Sequence, residues 1–124
     1  MPEFNKVEIA RLIKERKVVF VGKGKAHIIR DELDVQSMWE TLENGILLTR
    51  ELLCQKLPEK ALDYKWPYYF IHKLRKFSIF GKPVLLGFYV SMGWLRIGHF
   101  SGCSAEVKFY DDFKKESQHF PSEN

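Results

Sequence analysis

The fold class is decided by residues 83–100, PVLLGFYVSMGWLRIGHF, in the second half of the chain. Residues 84–90 and 94–100 are rich in β-branched and aromatic side chains, which is typical of strands, and Ser91-Met92-Gly93 breaks the run between them. Because a connection this short cannot cross over a sheet, the two strands must run antiparallel. Two further strands are predicted nearby, at residues 78–80 and 105–110.

The N-terminal part predicts a helix followed by a β-hairpin. Asn5 and Glu8 have the spacing of a capping box, and the apolar residues that follow lie on one side of a helix that ends near Arg16. Residues 18–21 and 26–29 are two short β-prone runs, and the glycine-lysine turn between them suits a hairpin.

The middle of the chain has helical periodicity. From Asp34 to residue 53 the apolar positions step by three and four, interrupted only by the turn dipeptide Asn44-Gly45. After that dipeptide, residues 46–53 suit either a helix or a strand, and we favour a helix. Pro58 is expected to open a short helical turn, and Pro67 is expected to open a further helix that spans residues 68–77.

Together these elements predict an α+β protein: an N-terminal helix and β-hairpin, a helical middle, and a C-terminal antiparallel β-meander packed against helices. The 124 residues, 45% of them hydrophobic, match one ordinary domain, which we place at residues 1–116. Residues 117–124 are polar and are expected to form a frayed tail.

The sequence also indicates where the protein resides. Charged residues near the N-terminus stand where a secretory signal needs an apolar run, and the longest uncharged stretch, residues 83–95, is too short to span a bilayer as a helix. Cys54 and Cys103 are far apart in sequence, which argues against a disulfide scaffold. We therefore expect no membrane span and a reducing, cytoplasmic setting.

Charge is distributed in blocks along the chain. The formal net charge is +5 over residues 1–30, −5 over residues 31–63, +6 over residues 64–110 and −2 over the rest, which gives +4 overall. A fold that joins the first and third blocks would create a basic face suited to a polyanion, whereas the blocks could equally neutralise each other across the fold.

No pattern in the sequence carries a convincing active site. The turn Gly22-Lys-Gly-Lys25 lacks the spacing of a phosphate-binding loop, and the four histidines lie outside zinc-binding motifs. The carboxylates of residues 31–34 are better explained as helix-capping groups than as magnesium ligands. His99 and Cys103 lie four residues apart around a turn, and an ordinary structural role is the stronger interpretation of both. We assign no catalytic residue, metal or cofactor, and an enzyme is the less favoured hypothesis.

The best candidate for a functional surface is the basic and aromatic segment of residues 65–76. Lysine and arginine neutralise phosphates, and tyrosine or tryptophan rings stack on unpaired bases. We therefore expect a small non-enzymatic module that contacts nucleic acid. The residues proposed for this contact are Trp66, Tyr68, Tyr69, Lys73, Arg75 and Lys76, with a second patch at Lys23, Lys25 and Arg30.

Two alternatives remain open. The first is a protein-interaction or homo-oligomeric assembly module, in which exposed aromatic residues anchor a partner or a second copy. The aromatic residues considered for this role are Trp39, Trp66, Tyr68, Tyr69 and Trp94. The second is a small enzyme or ligand-binding fold with its pocket between the sheet and the helical middle, near His99 and Cys103.

Overall fold

In a computed structural model, which describes residues 6–22, 33–75 and 81–117, helices cover both faces of a five-stranded mixed sheet. The class is α+β, as the sequence predicts. In chain order the elements are α1 (Lys6–Lys14), β1 (Val18–Phe20), α2 (Val35–Asn44), β2 (Ile46–Thr49), α3 (Arg50–Lys56), a 3₁₀ helix (Pro58–Asp63), β3 (Tyr68–Leu74), β4 (Lys82–Ser91), β5 (Trp94–Gly102), a second 3₁₀ helix (Glu106–Phe109) and α4 (Tyr110–Ser117).

The strands lie in the order β1-β5-β4-β3-β2. From β2 to β5 all neighbours are antiparallel, which confirms the predicted antiparallel pairing of β4 and β5. The first strand is different, because β1 pairs in parallel with β5, with Val18 opposite Leu95. Residues 26–29, the predicted partner of this strand in a hairpin, lie outside the described residues.

The β4–β5 hairpin turns at Met92 and Gly93, both of which have positive φ angles (53° and 79°). Two such residues in succession match the twist of a tight two-residue hairpin turn. Further along the hairpin the register shifts between Gly87 and Phe88, where β5 carries an extra residue. Gly98 is the extra residue of this bulge.

The first face of the sheet packs against α1 and α2. From α1, Ile9 and Leu12 contribute to this core, and from the sheet Phe88 and Ile97 are fully buried in it. Asp34 caps α2 by accepting a hydrogen bond from the backbone N–H of Ser37 (2.8 Å), which confirms the predicted capping role for Asp34; Asp31 and Glu32 lie outside the described residues.

The second face packs against α3 and α4. Leu48 of β2, Ile71 of β3 and Leu85 of β4 meet Leu53 of α3 and Phe113 of α4 in a separate core. Strands β3 and β4 therefore bury side chains on both faces, which removes the polar alternation that would mark a half-exposed strand.

The helix predicted for residues 68–77 is wrong, because residues 68–74 form the strand β3. The spacing of Phe70, Ile71 and Leu74 suits a helix, yet Phe70 and Leu74 belong to the first core while Ile71 belongs to the second. A strand covered on both faces shows a run of apolar residues that periodicity alone cannot separate from a helix.

Two more predictions need correction, and one is confirmed. Residues 46–49 form a strand and only residues 50–56 form a helix, where Thr49 caps the helix by accepting from the N–H of Leu52. Residues 106–109 are a 3₁₀ helix and not a strand. The helical turn opened by Pro58 is present over Pro58–Asp63. Within the described ranges, no helix has the length and apolar character needed to cross a membrane.

Candidate functional site

Strand β3 separates the residues predicted to bind nucleic acid. In a helix they would share one compact surface, but a strand rises about 3.3 Å per residue, so Tyr68 and Arg75 lie roughly 20 Å apart. Tyr68 pairs with Phe88 near the end of β4, and Lys73 pairs with Pro83 near its start. The aromatic and basic members of the set therefore lie at opposite ends of the sheet.

The two tyrosines of the set pack inward. Tyr69 is only 1% exposed, and its hydroxyl accepts a hydrogen bond from the backbone N–H of Trp66 (3.1 Å). Burial raises the pKa of Tyr69. The half-buried Tyr68 packs against Phe88 in the first core, with 5.6 Å between ring centroids. A base therefore cannot stack on the buried ring of Tyr69, and only part of the Tyr68 ring is accessible for stacking.

Trp66 lies over the second face of the sheet, where two glycines make room for it. A Cβ atom at Gly87 would come within 2.5 Å of its Cδ1, and one at Gly98 would overlap its six-membered ring. The plane of the indole is also nearly parallel to that of the Tyr89 ring (6°), with 5.7 Å between ring centroids. Trp66 is therefore held in a fixed position, half-buried, beside Tyr89.

The basic residues at the far end of β3 make local contacts. The Lys73 ammonium lies 4.4 Å from the ring centroid of Tyr110, a cation–π contact. Arg75 is exposed, and its backbone N–H donates to Glu40, which also bonds His72 (2.8 Å). The remaining predicted contacts, Lys76, Lys23, Lys25 and Arg30, lie outside the described residues.

Part of the second face is left open by the described helices. No buried residue of the second core comes from β1 or β5 within the described ranges. On that side Val19, Tyr89 and Arg96 are half-buried, and Trp94 is 39% exposed. We call this surface the open half of the sheet, formed by Val19, Trp66, Tyr89, Trp94 and Arg96. Sequence reasoning missed Tyr89 and Arg96, although their alternation with Phe88 and Ile97 marks them as residues of the opposite face.

A small polar cleft lies on the same face, between the sheet and the first 3₁₀ helix. Glu106 is buried (3% exposed), and its Oε2 accepts from the Tyr64 hydroxyl (2.6 Å) and lies 3.0 Å from the Lys60 ammonium. Burial raises the pKa of Glu106, but the hydrogen bonds from Tyr64 and Lys60 outweigh it, and the pKa is lowered overall. The cavity has a volume of about 90 Å³. It is lined by Lys60, Asp63, Tyr64, Trp66, Tyr69, Leu85, His99 and Glu106.

His99 and Cys103 lie in different surroundings. His99 lines the cleft, and its Nε2 lies 2.7 Å from the hydroxyl oxygen of Ser101. Burial, with the nearby Glu106 carboxylate, raises the pKa of the Cys103 thiol to about 12. A nucleophilic cysteine needs a lowered pKa, so Cys103 has the properties of a structural thiol. Across the described ranges, no three His, Cys, Asp or Glu side chains converge as a metal site would require.

A larger groove of about 550 Å³ lies near the first face, between α1 and β2. Its floor is apolar, with Ile9, Ile13 and Phe70, and its rim carries Lys6 and Lys14. None of the described residues that line it contributes a buried polar side chain of the kind that fixes a ligand's orientation, so the polar cleft offers the more specific chemistry.

Comparison of the chain with protein-family models, with curated proteins and with solved structures found no match in any of the three.

Proposed function

We propose that this protein is a small non-enzymatic module that binds single-stranded nucleic acid through the open half of the sheet. One observation carries the proposal. On the second face of the sheet, β4 and β5 bring together Trp66, Tyr89, Trp94 and Arg96, and among the described residues no residue of β5 is buried in the second core. Strand-held aromatic rings beside a cation are one arrangement by which proteins grip unpaired bases and their phosphates.

The geometry of the aromatic residues supports stacking. Trp66 is fixed by Gly87, Gly98 and the parallel ring of Tyr89, so ordering it on binding would cost little side-chain entropy. Trp94 is the more exposed ring. Stacking of a base on such a ring contributes about 1–3 kcal/mol.

The charge distribution supports the same surface. The parallel pairing of β1 with β5 joins the first and third sequence blocks, both of which are basic. Lys17, whose carbonyl accepts from the N–H of Leu95, lies at the start of this pair and is exposed. In the sequence, Lys23 and Lys25 lie three and five residues after the end of β1, and lysine side chains attract phosphates.

The test is fluorescence anisotropy of a labelled oligothymidine with the purified, nuclease-treated protein at two salt concentrations. Arg96→Glu and Trp94→Ala should each weaken binding at least about fivefold, since the first reverses one charge and the second removes one stacking face. The matched control is Arg75→Glu, which makes the same single charge reversal on an exposed residue just after the far end of β3. A control variant that binds as weakly as Arg96→Glu would move the site away from the open half of the sheet.

A protein partner is the second candidate, favoured by the tip of the β4–β5 hairpin. Met92 is 89% exposed there, next to Trp94. Exposed apolar side chains beside an aromatic ring are common anchors of protein interfaces. Light scattering over a range of concentrations separates the two cases: self-association that is lost in Met92→Ser, without salt-dependent oligonucleotide binding, would favour the interface.

We also propose a cytoplasmic location, because Cys54 and Cys103 are both free in the structure. Fractionation of cells that express a tagged protein would test this location.

A further inference from the structure

We propose that the polar cleft is a binding site for a primary alkylammonium group, such as the end of a lysine side chain from a partner, and that Lys60 of the protein itself occupies this site in the free state. The cleft is formed by the eight lining residues named above and opens between the first 3₁₀ helix and β4–β5.

The chemistry of the cleft favours a cation. Two carboxylates, Asp63 and Glu106, line the cleft with one ammonium, Lys60, so negative groups outnumber the positive one. The ring of Tyr64 adds to this preference, because its centroid lies 5.9 Å from the Lys60 ammonium and the face of an aromatic ring attracts cations.

Size and shape restrict the ligand to a small terminal group. A volume of about 90 Å³ is well below that of sites for whole metabolites, which begin near 300 Å³. Because Lys60 is itself one of the lining residues, this volume is the space left beside its side chain, and an incoming ammonium with its last methylene groups would use this space together with the space that Lys60 vacates. Its N–H groups would find an acceptor in the Glu106 carboxylate, which is held rigidly by the Tyr64 hydroxyl.

Lys60 shows how such a group would be bound. Its Nζ lies 3.0 Å from Glu106 and 5.9 Å from the ring centroid of Tyr64, so it makes the ion pair and the ring contact expected of an incoming ammonium. The Lys60 side chain is 34% exposed while that of Glu106 is 4% exposed. The lysine therefore enters from the solvent side, and an ammonium that displaces it would take over its ion pair with the carboxylate.

The anchor of the cleft is independent of Lys60. The Arg50 side chain donates to the backbone carbonyl oxygens of Ala61 (3.1 Å) and Tyr64 (2.5 Å), which fixes the end of the 3₁₀ helix. Tyr64 also packs edge-on against Tyr69, with 5.7 Å between ring centroids. The cleft should therefore keep its shape when Lys60 is replaced.

The test is calorimetric titration with n-butylammonium chloride, with the peptide acetyl-Gly-Lys-Gly-amide as a second ligand and n-butanol as the neutral control. If Lys60 occupies the site roughly nine-tenths of the time, Lys60→Met should tighten butylammonium binding about tenfold. The matched control is Lys56→Met, which breaks a similar lysine–glutamate pair with Glu116 at 3.0 Å on another helix and should leave the affinity unchanged. Binding by the peptide as well as by butylammonium would identify a protein lysine as an accessible source of the group, and binding by butylammonium alone would identify a free amine.

Because Lys60→Met leaves Glu106 without its cation, wild-type protein is titrated in parallel by NMR at millimolar butylammonium. Shifts at the Trp66 indole N–H and at His99 are expected, and Glu106→Gln in the Lys60→Met background should abolish binding. The proposal is overturned if butanol binds as well as butylammonium, if the wild-type shifts appear away from the cleft, or if Lys60→Met and Lys56→Met bind alike.

Discussion

The hydroxyl of Tyr64 donates a 2.6 Å hydrogen bond to the buried carboxylate of Glu106, and this bond joins two short 3₁₀ segments 42 residues apart. Hydrogen bonds to charged groups are worth about 1.5–3 kcal/mol when they are buried. Tyr64 therefore links the segment before β3 to the segment after β5.

Tyr64→Phe should lower the free energy of unfolding by about 1.5–3 kcal/mol, because the buried carboxylate loses a donor while the ring remains. Urea unfolding monitored by circular dichroism measures the effect. The control is Tyr89→Phe, which keeps the ring that lies beside Trp66 and should change the free energy by less than about 0.5 kcal/mol. Equal losses in the two variants would show that the hydroxyl of Tyr64 has no special role.

The pH dependence of stability should depend in part on Glu106. Its pKa is lower in the folded protein than the ordinary value of 4.5, so the folded state binds fewer protons and its contribution is fully present above that value. The contribution should be lost as the pH falls below 4.5 and through the folded-state pKa. Unfolding free energies between pH 7 and pH 3 measure this loss. In Glu106→Gln the acid-side slope should be shallower than in the wild type, and identical slopes would contradict the assignment.

Gly98→Ala should destabilise the protein by about 1–3 kcal/mol, because its Cβ would overlap the indole of Trp66 and force that ring away from the sheet. The control is Gly102→Ala at the end of the same strand, where the nearest atom to a Cβ is 3.7 Å away. Thermal melts of both variants, together with Trp fluorescence, would test this. A Gly98→Ala protein as stable as Gly102→Ala would mean that Trp66 moves at no cost.

Cys103 should react slowly with thiol reagents. A pKa of about 12, against an ordinary value of 9.0, reduces the thiolate fraction at pH 8 by a factor on the order of a thousand. In a Cys54→Ser background, Ellman's reagent should therefore modify the native protein at least about a hundredfold more slowly than the urea-unfolded protein. Rapid modification of the native protein would restore Cys103 as a candidate nucleophile.

The sequence predicts most elements whose burial pattern is simple. α1 and α2 bury one face each, so periodicity identifies them, and β4 and β5 are connected too closely to be anything but an antiparallel pair. The sequence of β3 wrongly predicts a helix, because a strand buried on both faces has no polar alternation to reveal it. The parallel pairing of β1 with β5 depends on a contact between distant segments that no local pattern records.

The candidate site was less predictable than the fold. Trp66 was singled out as a basic-segment aromatic residue, yet its position depends on Gly87 and Gly98, which become neighbours only through the bulge in β5. The polar cleft combines Lys60 and Tyr64 with Glu106 from beyond β5. These three residues come together only in the folded chain, and a single sequence contains no signal of their proximity.

The parallel pairing of β1 with β5 has a consequence for how the chain reaches its native state. Val18 pairs with Leu95, which is synthesised 77 residues later. The sheet therefore cannot be completed until β5 has left the ribosome. Because loops this long are slow to close, the β2–β5 meander should assemble first and β1 should join it last. Until then the edge of β5 stays unpaired, and it is there that the newly made chain is most exposed to aggregation.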